Sequence, residues 1–213
     1  MTTLATKSMI AVAVLALAGE AVYSYHQAHR AVGFAETAGT AGAATTKTTQ
    51  DTPINACALL SDEEVSAAVG AKVTPAERRD DGEVGGKGDY APPGTYSSTC
   101  FWRFANEAVD LDDPNLPMDG RRFAILNAMV WPKGGGYAAQ FLQSFRDAFE
   151  HQIIPAAPIA LDGIGDEALW WGDGTAVRKG DTSFGVSVFL QNGDKASQRK
   201  MEEALARKVV GRI

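Results

Sequence analysis

Apolar residues recur with the period of a helix in three stretches of the 213-residue chain. In the first, Ser61 to Gly70, Ser61 is a good N-cap and Glu64 three residues later completes a capping box, while Gly70 ends the helix. The second, YAAQFLQSFRDAFE, repeats an aromatic residue every four positions, which is typical of a helix with one core-facing stripe. The third runs from Lys195 to Val210. The sequence therefore predicts three helices.

Alternation of apolar and polar residues predicts strands between these helices. In TCFWRF, Cys100, Trp102 and Phe104 share one face. RFAILNAMVW is apolar on both faces, which predicts a central strand. Further strands are predicted at 71–74, 168–171, 175–179 and 183–190, the last three joined by the turns GDG and KGD. Hairpin connections indicate an antiparallel sheet, so the predicted fold class is α+β, an antiparallel sheet with helices packed on one face.

Residues 77–98, ERRDDGEVGGKGDYAPPGTYSS, are polar and rich in Gly and Pro. Such a composition predicts a long loop. One interpretation is a binding loop that presents Tyr90 and Tyr96. The other, which the composition favours, is a surface insert without a specific role.

The N-terminal residues indicate export. Segment 1–33 combines Lys7 with an uncharged apolar run, which is the plan of a signal peptide; an uncleaved signal anchor is the alternative, although Glu20 would be costly inside a membrane. Residues 34–52 are mostly Ala, Thr and Gly, which predicts a flexible tether to a single α+β domain at 53–213. Both interpretations place this domain outside the cytoplasm, in the periplasm, the cell envelope or the medium. They allow membrane contact only through an uncleaved N-terminal segment. A cytoplasmic location is the least favoured alternative.

Composition narrows the classes of partner. Hydrophobic residues make up 45% and charged residues 22% of the chain, which are ordinary values for a globular protein. The net charge is −6. Nucleic-acid binding needs clustered Lys and Arg, so an acidic domain argues against nucleic acid as a partner, and equally against an anionic membrane surface.

The chain contains two cysteines, Cys57 and Cys100. They form no C-x-x-C motif and no Cys/His set for zinc, and no motif for another metal or a cofactor is present. Two buried free thiols are one interpretation. The chain has a single pair of cysteines, and both follow the predicted export signal. This favours a disulfide that fixes the first helix to the sheet.

The segment GIGDEALWW carries the remaining candidate site residues. Asp166 and Glu167 are either a carboxylate pair for acid/base chemistry or part of a turn, and turn chemistry is favoured. Trp170 and Trp171 are consecutive residues of a strand and therefore point to opposite faces, so one of them is expected to be exposed and available, with the loop tyrosines, for binding.

CALLSDEEVSAAVGAKV, STCFWRF, GIGDEALW and AVRKGDTSFGVSV occur in this order before a C-terminal helix. In this order they resemble a family of secreted bacterial domains of unknown function, best known as actinobacterial lipoproteins. The resemblance spans residues 55–213 and implies a compact α+β fold with a disulfide outside the cytoplasm. It implies no catalytic residues. The chain departs from the lipoprotein pattern because no cysteine precedes Cys57.

No G-x-S-x-G or H-E-x-x-H motif supplies a nucleophile or a metal site for catalysis. The favoured function is a non-catalytic extracytoplasmic module that binds an envelope protein or a small ligand. The alternative is an envelope enzyme that uses Asp166 and Glu167.

Overall fold

The computed structural model describes residues 53–84, 91–104, 122–190 and 194–213, with the backbone alone at residues 80 and 81. The helices are α1 (Asp62–Val69), α2 (Tyr137–Glu150) and α3 (Lys195–Val210). The strands are β1 (Glu77–Glu83), β2 (Tyr96–Arg103), β3 (Phe123–Val130), β4 (Ile159–Ala160), β5 (Glu167–Trp170), β6 (Thr175–Lys179) and β7 (Thr182–Phe189). The predicted export segment 1–33 and tether 34–52 lie outside the described residues.

The seven strands form one sheet in the order β1-β2-β3-β7-β6-β5-β4, and every pair of neighbours is antiparallel. The α+β fold and the antiparallel sheet are as the sequence predicts. The two longest apolar strands, β3 and β7, are neighbours near the centre. Cys100 on β2 pairs with Leu126 on β3, which pairs with Val186 on β7. This register places these three side chains on the same face of the sheet.

The helices cover both faces of the sheet. α1 and α3 pack with Trp102, Leu126 and Phe184 in the main core. α2 lies on the opposite face, where Phe145 packs against Leu169 and Trp171. The prediction that the helices pack on one face therefore holds for α1 and α3 and is wrong for α2. The physical reason is that the central strands are apolar on both faces, so the second face also needs cover.

Local signals fix α1 and its link to the sheet. Ser61 Oγ accepts from the Glu64 N–H, Glu64 Oε2 accepts from the Ser61 N–H, and Gly70 ends the helix with φ = 70°. Just before α1, Cys57 forms a disulfide with Cys100 of β2, with the two Cα atoms 5.0 Å apart. The predicted capping box and the predicted disulfide are both confirmed.

The predicted loop at 77–98 is wrong in part. Glu77–Glu83 forms β1 at one edge of the sheet, and β2 begins at Tyr96. An edge strand gains its backbone hydrogen bonds from one neighbour and can face water with polar side chains, so it needs no apolar pattern. The strand predicted at 71–74 is reduced to a single bridge between Val73 and Phe104.

Candidate functional site

Asp166 organises a turn. Its Oδ2 accepts from the Gly180 N–H at 2.7 Å and from Arg178 Nη1 at 3.1 Å, and its own N–H donates to the Arg178 carbonyl at 2.9 Å. Gly165 beside it has φ = 63°, and a Cβ there would overlap the Arg178 carbonyl oxygen. These contacts tie the turn before β5 to the hairpin that joins β6 and β7.

Glu167 is engaged in ion pairs. Its Oε1 accepts from Arg146 Nη2 of α2 at 2.7 Å, and its Oε2 lies 3.7 Å from Arg178 Nε. These contacts connect α2 to β5 and β6. Neither Asp166 nor Glu167 lines the cleft described below.

The aromatic candidates lie on different parts of the molecule. Tyr90 is outside the described residues. Tyr96 is half-buried in β2 against the main core. Trp170 is half-buried on the main-core face, where its Nε1 donates to Glu202 Oε2 at 2.9 Å. Trp171 is on the other face and only 8% exposed, so the expectation that one of the two tryptophans is exposed is wrong. The structure therefore does not bring Tyr96, Trp170 and Trp171 to one surface.

Trp171 instead lines a small cleft between α2 and the sheet. We call it the α2 cleft; its cavity volume is about 30 Å³. It is lined by Ile125, Asn127, Phe141, Phe145, Trp171, Gly185 and Ser187. Asn127 and Gly185 are paired in neighbouring strands, as are Ile125 and Ser187. Two rows of the central sheet thus form the floor, and α2 contributes one wall.

Aromatic rings form that wall. Phe145 stacks on Trp171 with ring centroids 5.7 Å apart and an angle of 28° between the rings. Phe141 meets Phe145 edge-on, with centroids 5.4 Å apart and an angle of 89°. Phe141 also contacts Trp131, at 6.0 Å. These contacts pack the rings against one another, so they form one continuous apolar wall.

Three of the lining residues, Asn127, Trp171 and Ser187, carry polar side-chain groups. Trp171 Nε1 and Ser187 Oγ both lie close to Gly174. A Cβ built on Gly174 would lie 3.0 Å from the indole nitrogen and would overlap the hydroxyl oxygen. Asn127 Nδ2 donates to Thr99 Oγ1 at 2.7 Å and to Ser97 Oγ at 3.2 Å. Within the described residues, the Trp171 N–H and the Asn127 carbonyl oxygen have no hydrogen-bond partner. The residues that line the α2 cleft thus combine apolar rings with an indole donor and an amide acceptor that no described residue engages.

Most of these residues were not candidates from the sequence. The spacing of Phe141 and Phe145 predicts that they form an apolar stripe facing the core, and the structure agrees. No local sequence signal indicates that a cleft remains between this stripe and the sheet. Asn127 gives the one available signal, because it is the only side chain that can form a hydrogen bond between Phe123 and Trp131 except the indole of Trp131 itself. A polar side chain in such a strand needs a partner.

A buried carboxyl group lies on the other face of the sheet. Glu202 of α3 is fully buried; its Oε1 accepts from the Val188 N–H at 2.9 Å and from Gln198 Nε2 at 3.0 Å, and its Oε2 accepts from Trp170. Burial raises the pKa of Glu202 to about 7, although the three donors act to lower it. All its contacts are internal, so Glu202 fastens α3 to β5 and β7.

Three further findings bear on what the chain could be: the absence of a metal cluster in the described residues, the absence of a membrane-spanning helix there, and the result of comparisons with known proteins. Among the described residues, no group of three or more His, Cys, Asp or Glu side chains is arranged to hold a metal ion. None of the helices in that part of the chain is long and apolar enough to cross a bilayer. No protein-family model, no curated protein and no solved structure matches the chain.

Proposed function

We propose that this protein is a non-catalytic binding module that works outside the cytoplasm and takes its ligand in the α2 cleft. The observation that carries the proposal is the indole N–H of Trp171, a residue that lines the α2 cleft, because this N–H donates to no group of the described residues. A ligand that accepts this hydrogen bond could replace water there.

The other tryptophans set the Trp171 indole apart. The chain has four tryptophans, and each of the other three indoles donates to a side chain. Trp102 donates to Asp62, Trp131 to Ser183 and Trp170 to Glu202, at 2.8 to 2.9 Å. The Trp171 indole donates to no group of the described residues and keeps contact with solvent, so it is available to a ligand. A fold that satisfies three indoles and leaves the fourth open at a cleft therefore supports a ligand site there.

Support for the compartment comes from the disulfide. Such bonds persist in oxidising compartments and are rare in the reducing cytoplasm. The Cys57–Cys100 bond uses both cysteines of the chain. The export pattern of segment 1–33 and the resemblance to secreted actinobacterial lipoprotein domains point in the same direction.

The enzyme alternative has less support. Asp166 and Glu167 both have arginine partners, and Asp166 also accepts a backbone N–H, so their oxygens are engaged in holding the fold. An acid/base role predicts that Glu167→Gln stays folded and loses function. The binding module proposed here predicts that this variant keeps ligand binding in the α2 cleft.

The proposal is tested by the tryptophan indole signals in a ¹⁵N–¹H spectrum of the full chain. Small molecules extracted from the envelope of the source cells should shift the Trp171 signal and leave those of Trp102, Trp131 and Trp170 in place. The Gly185→Val variant should abolish the response, because Gly185 faces the cleft and its side chain would fill it. An unchanged Trp171 signal with every extract fraction would overturn the proposal.

Gly185 suits this test because the fold has room for a side chain there. A Cβ on Gly185 would meet only the Thr175 carbonyl oxygen, at 3.9 Å, and its φ is not positive. Gly185→Ala, which adds a single methyl group, serves as the milder variant if Gly185→Val unfolds. Gly211→Ala is the matched control, because its Cβ also finds space, at 3.5 Å from the Lys208 carbonyl oxygen, and it lies at the end of α3 on the other face.

A further inference from the structure

Glu202 belongs to a chain of polar side chains that reaches the surface. Its Oε1 accepts from Gln198 Nε2 at 3.0 Å, and both residues are buried. At the other end of the same amide, Gln198 Oε1 accepts from Lys195 Nζ at 3.1 Å. Lys195 also pairs with Asp173 in the turn between β5 and β6, and these two side chains are 59% and 48% exposed. The Gln198 amide therefore connects a buried carboxyl group to a surface ion pair.

The hydrogen bonds around Glu202 are those of an ionised carboxylate. Gln198 Nε2, the Val188 N–H and Trp170 Nε1 all donate to it. A protonated carboxyl group carries an O–H that must itself donate. Of the three partners, only Gln198 can change from donor to acceptor, because exchanging its amide oxygen and nitrogen by rotation leaves the shape of the side chain unchanged. A proton on Glu202 is therefore accommodated by turning the Gln198 amide over.

Turning the amide over breaks its contact with Lys195. The Gln198 NH₂ group would then face the ammonium group, and two donors cannot bond to each other. Lys195 is the first residue of α3, where a positive charge is unfavourable beside the positive end of the helix dipole. Among the described residues, Asp173 is then the one partner that still holds it. The first turn of α3 thus loses one of its two attachments through Lys195.

Lys195 is the charge that acts on Glu202, and it favours the ionised form. Burial acts the other way and is the larger effect, so it raises the pKa of Glu202 to about 7 and both forms occur near neutral pH.

Other charged groups on the elements packed around Glu202 are engaged elsewhere. β7, which supplies the Val188 N–H, has no charged side chain. Glu63 and Lys200 are exposed to water. The remaining charged residues of α1, α3, β5 and β6 have partners of their own: Arg199 with Glu203, Glu64 with Lys208 and Arg212, Glu167 with Arg146 and Arg178, Asp62 with Trp102, Asp194 with the Ala196 and Ser197 N–H groups, Arg207 with the Asp162 and Gly163 carbonyl groups, and Lys179 with the Val210 and Ile213 carbonyl groups.

We propose that Gln198 is a pH-sensitive link at the start of α3: when Glu202 takes up a proton, the Gln198 amide turns over and releases Lys195, and when Glu202 loses the proton, the contact forms again. The link does not depend on the ligand proposed for the α2 cleft, because Glu202 lies on the other face of the sheet.

The experiment follows three signals in nuclear magnetic resonance spectra of the full chain: the Trp170 indole N–H, Gln198 Cγ and Lys195 Cε. We expect all three to shift with one common midpoint, near the pKa of about 7 of Glu202. Glu202→Gln should abolish the three shifts, because an amide does not titrate. Glu203→Gln is the matched control, since it removes the neighbouring carboxylate of the same helix and should leave the three shifts in place.

Gln198→Met separates the link from the acid, because it keeps an unbranched side chain of similar length and removes the amide. In this variant the Trp170 signal should still titrate, and Lys195 should lose most of its shift. A full Lys195 shift in Gln198→Met would mean that the charge of Glu202 acts through space and would overturn the link. A Lys195 signal that stays fixed in the unaltered protein while Trp170 shifts would overturn it too, as would a Trp170 signal that does not titrate. The titration of the unaltered protein decides the matter even if Gln198→Met does not fold.

Discussion

Glu202 makes the attachment of α3 depend on pH. Burial raises its pKa from the ordinary glutamate value of 4.5 to about 7. Since the folded pKa lies above the unfolded one, the stabilising contribution of the protonated acid is fully present below the unfolded pKa and is lost as the pH rises through about 7. A shift of this size corresponds to about 3 kcal/mol between those limits.

We expect Glu202→Gln to remove this pH dependence, because an amide has no proton to lose. Urea unfolding near pH 5 and near pH 8 measures the difference in the free energy of unfolding. Glu203→Gln is the control, since Glu203 is partly exposed in an ion pair with Arg199 at 2.7 Å and should leave the difference in place. Equal stability of the unaltered protein at both pH values would contradict the prediction.

Gly163 and Gly165 form a matched pair for the turn before β5. Their φ angles are 68° and 63°, so an alanine is strained to a similar degree at either position. A Cβ on Gly163 has room, with Arg207 Nη1 at 3.7 Å, whereas one on Gly165 would overlap the Arg178 carbonyl oxygen and lie 2.8 Å from Val177 Cγ1. We expect Gly163→Ala to cost about 1 kcal/mol and Gly165→Ala at least about 2 kcal/mol more. Thermal unfolding compares them, and equal costs would show that the backbone has relaxed.

At the level of helices and strands, the sequence predicts the elements that depend on local signals. All three helices and the strands β3, β5, β6 and β7 lie where capping, periodicity and turn residues indicate them, within a residue or two at their ends. β1 was missed because ERRDDGE owes its strand conformation to pairing with β2, which no local pattern reports. Contacts between distant segments, rather than intrinsic preference, decide such an edge strand.

The α2 cleft could not be predicted for a related reason. Trp171, Asn127 and Phe145 are far apart in the chain and converge only through strand order and the face that α2 covers. The segment GIGDEALWW does contain one residue of the site, Trp171. Its other candidates, Asp166 and Glu167, hold the turn and the helix in place.

Asp62 joins α1 to the sheet and offers a test of that contact. Its Oδ1 accepts from Trp102 Nε1 at 2.9 Å and from the Ala76 N–H at 3.0 Å, and the Trp102 side chain is 1% exposed. We expect Asp62→Ala to lower the free energy of unfolding by about 2–3 kcal/mol, because the buried indole loses its acceptor. Urea unfolding measures the loss.

The control for that experiment is Asp62→Asn, which keeps an acceptor oxygen and should cost less. Trp102→Phe removes the donor. In the double variant with Asp62→Ala, the cost should be smaller than the sum of the two single costs by about 1 kcal/mol or more. Additive costs would mean that the hydrogen bond contributes nothing measurable.

For the molecule as a whole, the proposed location outside the cytoplasm depends on segment 1–33. A reporter fused after Thr52 should be active only outside the cytoplasm, because Lys7 and the apolar run after it have the plan of an export signal. A matched fusion with Leu15→Arg interrupts the apolar run and should keep the reporter inside. Activity of the unaltered fusion in the cytoplasm would contradict the proposed location.

The disulfide connects that location to stability. Cys57 and Cys100 are 43 positions apart, and a bond that closes a loop of this length contributes roughly 4 kcal/mol by restricting the unfolded chain. Protein refolded with reductant should therefore unfold at lower urea concentration than oxidised protein, with a loss of about that size. The double variant Cys57→Ala/Cys100→Ala should resemble the reduced protein and be insensitive to reductant. If reduction left the urea midpoint unchanged, the bond would not be stabilising the fold, and the stability argument for an oxidising compartment would fail with it.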